Sequence, residues 1–130
     1  MTKEDKKIKL LIVDDDKFLL DMYSLKFKSS GFDVDTAAGS SIALDKFHKG
    51  DCPDIVLMDI IMPTMDGLEL LKQIREEKLI PDSLIVMLTN QPDEYDKAKE
   101  LGIDGYIVKA TTIPSDVVAQ VSKIYNDKKK

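Results

Sequence analysis

Residues 53–59 read Pro53-Asp54-Ile55-Val56-Leu57-Met58-Asp59, and residues 62–67 read Met62-Pro63-Thr64-Met65-Asp66-Gly67. Four consecutive apolar residues with no polar position among them describe a strand covered on both faces, as in a parallel sheet. The run stops at Asp59, and the Pro/Gly-marked segment carries the chain away. A carboxylate one position past a buried strand sits at the mouth of the sheet, the edge at which open α/β sheets bind ligands. Asp59 is the residue around which the rest of the chain is read.

Working outward, residues 8–13 form a first strand whose run Leu10-Leu11-Ile12-Val13 stops at Asp14-Asp15-Asp16. Over residues 17–30 the period becomes helical, with Phe18, Met22, Leu25 and Ser29 on one face, Leu19 beside them and Gly31 as the stop. Phe32, Val34 and Thr36 alternate with Asp33 and Asp35, the pattern of an edge strand with water on one side. Ser40 or Ser41 caps a second helix with Ile42, Ala43 and Phe47 inward, ending at Gly50. Leu68, Leu70, Leu71 and Ile74 mark a third helix, which Pro81 prevents from continuing. Residues 84–88 are a fourth strand stopping at Thr89. Pro92, Asp93 and Glu94 open a helix that runs to Leu101 and stops at Gly102. Residues 106–108 are a fifth strand stopping at Lys109. Pro114, Ser115 and Asp116 open a last helix with Val117, Val118, Val121, Ile124 and Tyr125 inward.

Five strands alternating with five helices describe an α/β doubly wound parallel sheet. The edge character of the second strand favours the order 2-1-3-4-5, with the switch point between strands one and three. The expected organisation is a charged lead-in over residues 1–7, one domain over residues 8–127 and a basic tail over residues 128–130. No effector domain is expected after the last helix.

At 130 residues the chain has the size of one domain. Its formal charge of −5 argues against nucleic acid as a direct partner. The single Cys52, expected to be partly buried, has no partner for an internal disulfide. There is no apolar stretch of membrane-spanning length. A cytoplasmic protein is expected.

Four strands end at a polar residue: Asp14 after Val13, Asp59 after Met58, Thr89 after Leu88 and Lys109 after Val108. In a parallel sheet these ends share one edge, so Asp14, Asp15, Asp59, Thr89 and Lys109 should converge. Any one of them alone is no more than a strand ending in something polar; the four together are the signal. Acids brought close cannot all stay ionised without a neutralising partner. With no Cys or His nearby, a hard cation such as Mg²⁺ fits better than Zn²⁺. Lysine and threonine opposite suit a transferring phosphoryl group, and a carboxylate can itself be the nucleophile, giving an acyl phosphate.

This set, in this order and over essentially the whole chain, resembles the receiver domain of two-component response regulators. The matching residues are the Asp14-Asp15 pair, Asp59, the Met62-Pro63…Met65-Asp66-Gly67 loop, Thr89 and Lys109. The resemblance implies a flavodoxin-like fold. The chemotaxis member of that family is itself an example of the 2-1-3-4-5 order. It implies that Asp59 takes a phosphoryl group from a sensor histidine kinase, a phosphotransfer protein or a small acyl phosphate. Asp15 and Asp59 would ligate Mg²⁺ directly, Asp14 through water, and the Ile61 carbonyl would add a ligand. Lys109 would pair with phosphoryl oxygens and Thr89 would swing in to hydrogen-bond one. Tyr106 would turn inward with it, altering the face of helix four, strand five and helix five that a downstream protein reads. The expected state is a monomer or a phosphorylation-dependent dimer. The chain would catalyse its own phosphorylation and dephosphorylation only.

The chain departs from the family pattern at three places. Asn90 stands where a small residue is common and is expected to narrow access. Ala110 replaces a proline that follows the lysine with a cis bond, and a non-proline cis bond costs roughly 3 kcal/mol, so the usual loop geometry is not expected. Ile61 has no polar atom to orient a hydrolytic water, so a long-lived acyl phosphate is expected. These departures keep open a phosphorylation-impaired interaction module. Asp14 and Asp16 also satisfy the Asp-x-Asp of a haloacid-dehalogenase-like phosphatase, which would leave Asp59 unexplained. A flavodoxin would need a phosphate loop where this chain has three acids. His48 reads as a surface residue at a helix end rather than a relay or metal histidine, and the six methionines read as packing.

Overall fold

The computed structural model describes residues 7–128. Residues 1–6 of the expected lead-in, and Lys129 and Lys130 of the expected tail, lie outside the described residues. Five strands pair in parallel in the order β2-β1-β3-β4-β5. They are β1 (Lys9–Val13), β2 (Asp33–Ala37), β3 (Ile55–Met58), β4 (Leu84–Thr89) and β5 (Gly105–Val108). The connecting helices are α1 (Lys17–Ser29), α2 (Ser40–His48), α3 (Gly67–Glu76), α4 (Tyr95–Glu100) and α5 (Pro114–Lys128). A 3-10 turn over Pro92–Glu94 leads into α4, so the helix expected from Pro92 begins three residues later.

The period of two along each central strand sorts its side chains to opposite faces. Leu11, Val13, Val56, Met58, Ile85 and Met87 pack under α2, α3 and α4. Leu10, Ile12, Ile55, Leu57, Val86 and Leu88 pack under α1 and α5. Register places Val13 beside Met58 and Thr89 beside Val108, so the strand ends line up along one edge.

The buried face of α1 is not the one that periodicity suggested. Phe18 is 77% exposed and Leu25 71%, while Leu20, Tyr23 and Phe27 are buried. Two stripes in this helix share the i, i+3/i+4 spacing, and spacing alone does not choose between them. The stripe that wins brings Phe27 against Phe32 in an edge-to-face contact at 5.1 Å. Burying a ring of that size contributes roughly 1.5–3 kcal/mol. In α2, likewise, Leu44 is buried and Ile42 is 46% exposed. That helix is preceded by Gly39 with no side-chain cap, and neither serine caps it; the Ser40 hydroxyl donates instead to the Met65 carbonyl at 2.8 Å. Cys52 is exposed, not partly buried.

The remaining inward residues fall as read: Leu70, Leu71 and Ile74 on α3, and Val117, Val118 and Val121 on α5 with Ile124 and Tyr125 against the core. Lys128, expected to open the tail, is the last residue of α5 and reaches Asp104 at 3.4 Å. None of the described helices is long and apolar enough to cross a membrane.

Candidate functional site

The edge formed by the strand C-termini holds a crevice of about 370 Å³, lined by Asp14, Asp15, Asp59, Ile61, Asn90 and Lys109 among others. A separate crevice of about 240 Å³, lined by Lys9, Asp33, Cys52 and neighbours, has no comparable convergence of acids. Asp14, Asp59 and Lys109 each stand one residue past a strand end. Asp14 donates its own N–H to the Ala37 carbonyl, prolonging the β1–β2 ladder by one residue, and Asp59 does the same to the Val13 carbonyl. The two carboxylates are thus carried on neighbouring strands.

Lys109, immediately after β5, reaches both. Its Nζ lies 2.7 Å from Asp14 Oδ2 and 3.0 Å from Asp59 Oδ2, and all three side chains are nearly buried. Asp59 Oδ1 accepts the Ile60 N–H at 2.7 Å and the Ile61 N–H at 3.4 Å. Burial pushes the Asp14 carboxyl above its usual value, although hydrogen bonds from Lys109 and from the Asp16 N–H work the other way. Burial also disfavours the Lys109 charge, but its two carboxylate partners outweigh this and raise its pKa.

Asp15 is exposed, and its carboxylate completes a group with Asp14 and Asp59 whose oxygens lie within 4.8 Å of one another. Three hard oxygen donors, with no nitrogen or sulfur ligand among them, suit Mg²⁺ or Ca²⁺ better than zinc. The third acid of the run has a different role. Asp16 caps α1, its carboxylate accepting the Leu19 N–H at 3.2 Å. An acid immediately before a helix is a usual cap, so that signal was present in the sequence. With Asp16 so used, the Asp14…Asp16 pair loses much of its resemblance to a phosphatase motif.

Thr89 is fully buried at the end of β4 and makes no hydrogen bond to the acids; its hydroxyl accepts the Gln91 N–H at 3.3 Å. The Gln91 carbonyl in turn accepts the Tyr106 hydroxyl. Tyr106 is half-buried and meets the Tyr95 ring edge-to-face at 5.5 Å; burial raises its pKa. Gln91, which sequence reasoning passed over, is therefore the backbone link between Thr89 and Tyr106. The residue after Lys109 joins to it by a trans bond, and the two open a 3-10 turn over Lys109–Thr111. Ala110 donates its N–H to Asn90 Oδ1 at 2.8 Å, a contact with no signal in the sequence. His48, as expected, lies away from the crevice and meets Glu77 at 2.7 Å.

Gly67 shows how closely the β3–α3 loop folds over the site. A Cβ there would collide with the Asp59 carbonyl oxygen, so only glycine fits. Just before it, Asp66 forms a capping box with Glu69 that starts α3.

A model of the response regulator receiver domain family matches residues 10–121, and the chain belongs to that family, the receivers of two-component systems. A sequence relative, the alkaline phosphatase synthesis transcriptional regulatory protein PhoP of Bacillus subtilis, is 37% identical over 118 residues. That match covers 89% of this chain and 48% of the relative, so the chain spans about half the length of that protein. Among solved structures, the chemotaxis response regulator CheY4 of Vibrio cholerae superposes with a TM-score of 0.82 at 29% identity, covering 92% of this chain and 99% of that one. The response regulator TrrA of Thermotoga maritima, solved in complex with Mg²⁺ and BeF, gives 0.77 at 30% identity with the same coverage.

The raised Asp14 pKa has a measurable sign. The folded chain holds the Asp14 proton more tightly than the unfolded chain does. The cost of ionising it is therefore absent below the ordinary value of 3.8 and grows as pH rises through the raised one. In chelator, denaturant unfolding between about pH 4 and pH 7 should show wild type losing stability relative to Asp14→Asn as pH rises. A difference that stays constant, or moves the other way, contradicts this picture of the site.

Proposed function

We propose that this chain is a response regulator that accepts a phosphoryl group on Asp59 from a sensor histidine kinase or a phosphotransfer protein. The observation that carries the reading is the Lys109 ammonium held between Asp14 and Asp59 in one crevice. An Asp59 carboxylate oxygen attacks phosphorus, forming an acyl phosphate. The bond from phosphorus to the donor's imidazole nitrogen breaks, and its electron pair stays on that nitrogen. Lys109, already in the crevice, neutralises charge on the phosphoryl oxygens. Asp14, Asp15 and Asp59, with the Ile61 carbonyl, would hold Mg²⁺, which when bound supplies charge neutralisation at the phosphoryl oxygens. The Mg²⁺ and BeF complex of TrrA supports this assignment. The family match and the buried ion pairs favour a working acceptor over a phosphorylation-impaired module.

Output follows from the Gln91 link. A Thr89 hydroxyl that turns to a phosphoryl oxygen gives up the Gln91 N–H, and the Gln91 carbonyl is what the Tyr106 hydroxyl holds. Tyr106 is then free to change rotamer, altering the α4–β5–α5 face that a downstream protein reads, as a monomer or a phosphorylation-dependent dimer. Phe18 and Leu25 give α1 an exposed apolar face beginning beside the crevice, suited to a phosphodonor's helix. The exposed, unpaired Cys52 fits a reducing cytoplasm.

Ile61 is 56% exposed at the crevice and offers an attacking water no side-chain hydrogen bond. The acyl phosphate is accordingly long-lived. Followed by mass spectrometry, it should decay faster in Ile61→Asn than in wild type; slower decay in the variant counts against this role.

The switch is tested by amide NMR on addition of Mg²⁺ and beryllofluoride, a phosphoryl mimic. Shifts should appear around Asp59 and Lys109 and spread to Gln91, Tyr95 and Tyr106, and in Thr89→Ala the spread should be lost. Shifts confined to the crevice in wild type would contradict the proposed output.

A further inference from the structure

The loops after β4 and β5 are joined by one side chain, and the join has a polarity. The Ala110 N–H can only donate, so Asn90 must turn its oxygen toward Ala110 and its NH₂ group away. Thr89 pairs with Val108, which sets Asn90 opposite Lys109 one residue further along. Asn90 lines the same crevice as Asp59 and Lys109, and its Nδ2 makes no hydrogen bond among the described residues. An oriented, neutral, two-proton donor therefore stands at the mouth of a site built for a multiply charged oxyanion. The residues involved are also interdependent. A proline at position 110 would have no N–H to donate, and an alanine at position 90 would have nothing with which to accept it.

We propose that Asn90 is a direct phosphoryl-binding residue of this site. Its Nδ2 donates to a terminal oxygen of the phosphoryl group on Asp59, and the Ala110 N–H holds it in the orientation that makes this possible. The inference rests on the reading of Asp59 as phosphoacceptor. A phosphoryl group carries three terminal oxygens with several lone pairs each, more acceptor capacity than a bound Mg²⁺, the Lys109 ammonium and the Thr89 hydroxyl together fill. A hydrogen bond to such an anion is about twice as strong as one between neutral groups. The same bond anchors the 3-10 turn that carries Lys109, so Asn90 acts on the site once directly and once by holding its neighbour.

The test is the equilibrium affinity for beryllofluoride with Mg²⁺, read by ¹⁹F NMR, in wild type, Asn90→Ala, Asn90→Asp, Ala110→Pro and the Asn90→Ala/Ala110→Pro double variant. Asn90→Ala and Ala110→Pro should each weaken binding roughly tenfold, the double variant no more than either alone. Asn90→Asp keeps the acceptor for Ala110 but replaces the donor with a charged oxygen, and should weaken binding more than Asn90→Ala. In ¹⁵N-labelled wild type the Asn90 side-chain NH₂ resonances should shift on binding. Asn90→Ala keeps the test valid should Ala110→Pro disturb the turn. If Asn90→Ala binds as well as wild type or better, or the NH₂ resonances stay in place, the side chain only narrows the entrance and the proposal is overturned. If wild type binds nothing, the phosphoacceptor reading itself is overturned.

Discussion

The Lys109 ammonium is the constraint on which the arrangement depends. Asp14 and Asp59 end adjacent strands, and two carboxylates brought that close out of water need a cation between them. The cation comes from β5, which lies beyond β4. At about 4.8 Å per strand, β5 runs roughly 10 Å from β3. A lysine has the reach and presents a compact point charge that two carboxylates can share. The strand order, the ending of β5 at Val108 with Lys109 next in the chain, and the two ion pairs at 2.7 and 3.0 Å are one geometric solution.

Around this centre the loops are held by contacts that do not themselves face the acids. Ser40, at the start of α2, holds the Met65 carbonyl, and the Asp66–Glu69 capping box fixes where α3 begins. Between them Thr64 takes a φ of 71°, a left-handed conformation that a β-branched residue rarely adopts. Holding such a residue costs on the order of 1–3 kcal/mol, so the loop is over-determined by its anchors. On the other side, Gln91 ties Thr89 to Tyr106, and Asn90 ties Ala110 to the end of β4. The two halves of the rim are thus built differently. The β3–α3 loop is pinned by close packing and capping, whereas the loops after β4 and β5 are held by single hydrogen bonds through Gln91 and Asn90.

The sheet and the cluster were readable because both rest on one strong signal, the solid apolar run that stops at a polar residue. Leu10–Val13, Ile55–Met58 and Leu84–Leu88 each carry it, and parallel pairing then puts Asp14 and Asp59 side by side without further assumption. The face of α1 was not readable in the same way. Phe18, Met22 and Leu25 make as good a helical stripe as Leu20, Tyr23 and Phe27, and only the packing of Phe27 on Phe32 decides between them. Asp16 was readable in principle as a cap, but in sequence it stood out only as the second acid of an Asp-x-Asp pattern. The Asn90–Ala110 bond joins residues twenty positions apart through a backbone N–H, and no periodicity or spacing encodes such a contact. Each of those residues, taken alone, looked like a defect in a familiar pattern; in the structure they form one device.

The measurement that bears most directly on the account is intact mass after incubation with Mg²⁺ and a small acyl phosphate, with Asp59→Asn alongside. One added phosphoryl group is expected in wild type, dependent on Mg²⁺ and absent from the variant. An unmodified wild type, or an adduct that survives in Asp59→Asn, would contradict the assignment of Asp59 as the phosphoacceptor.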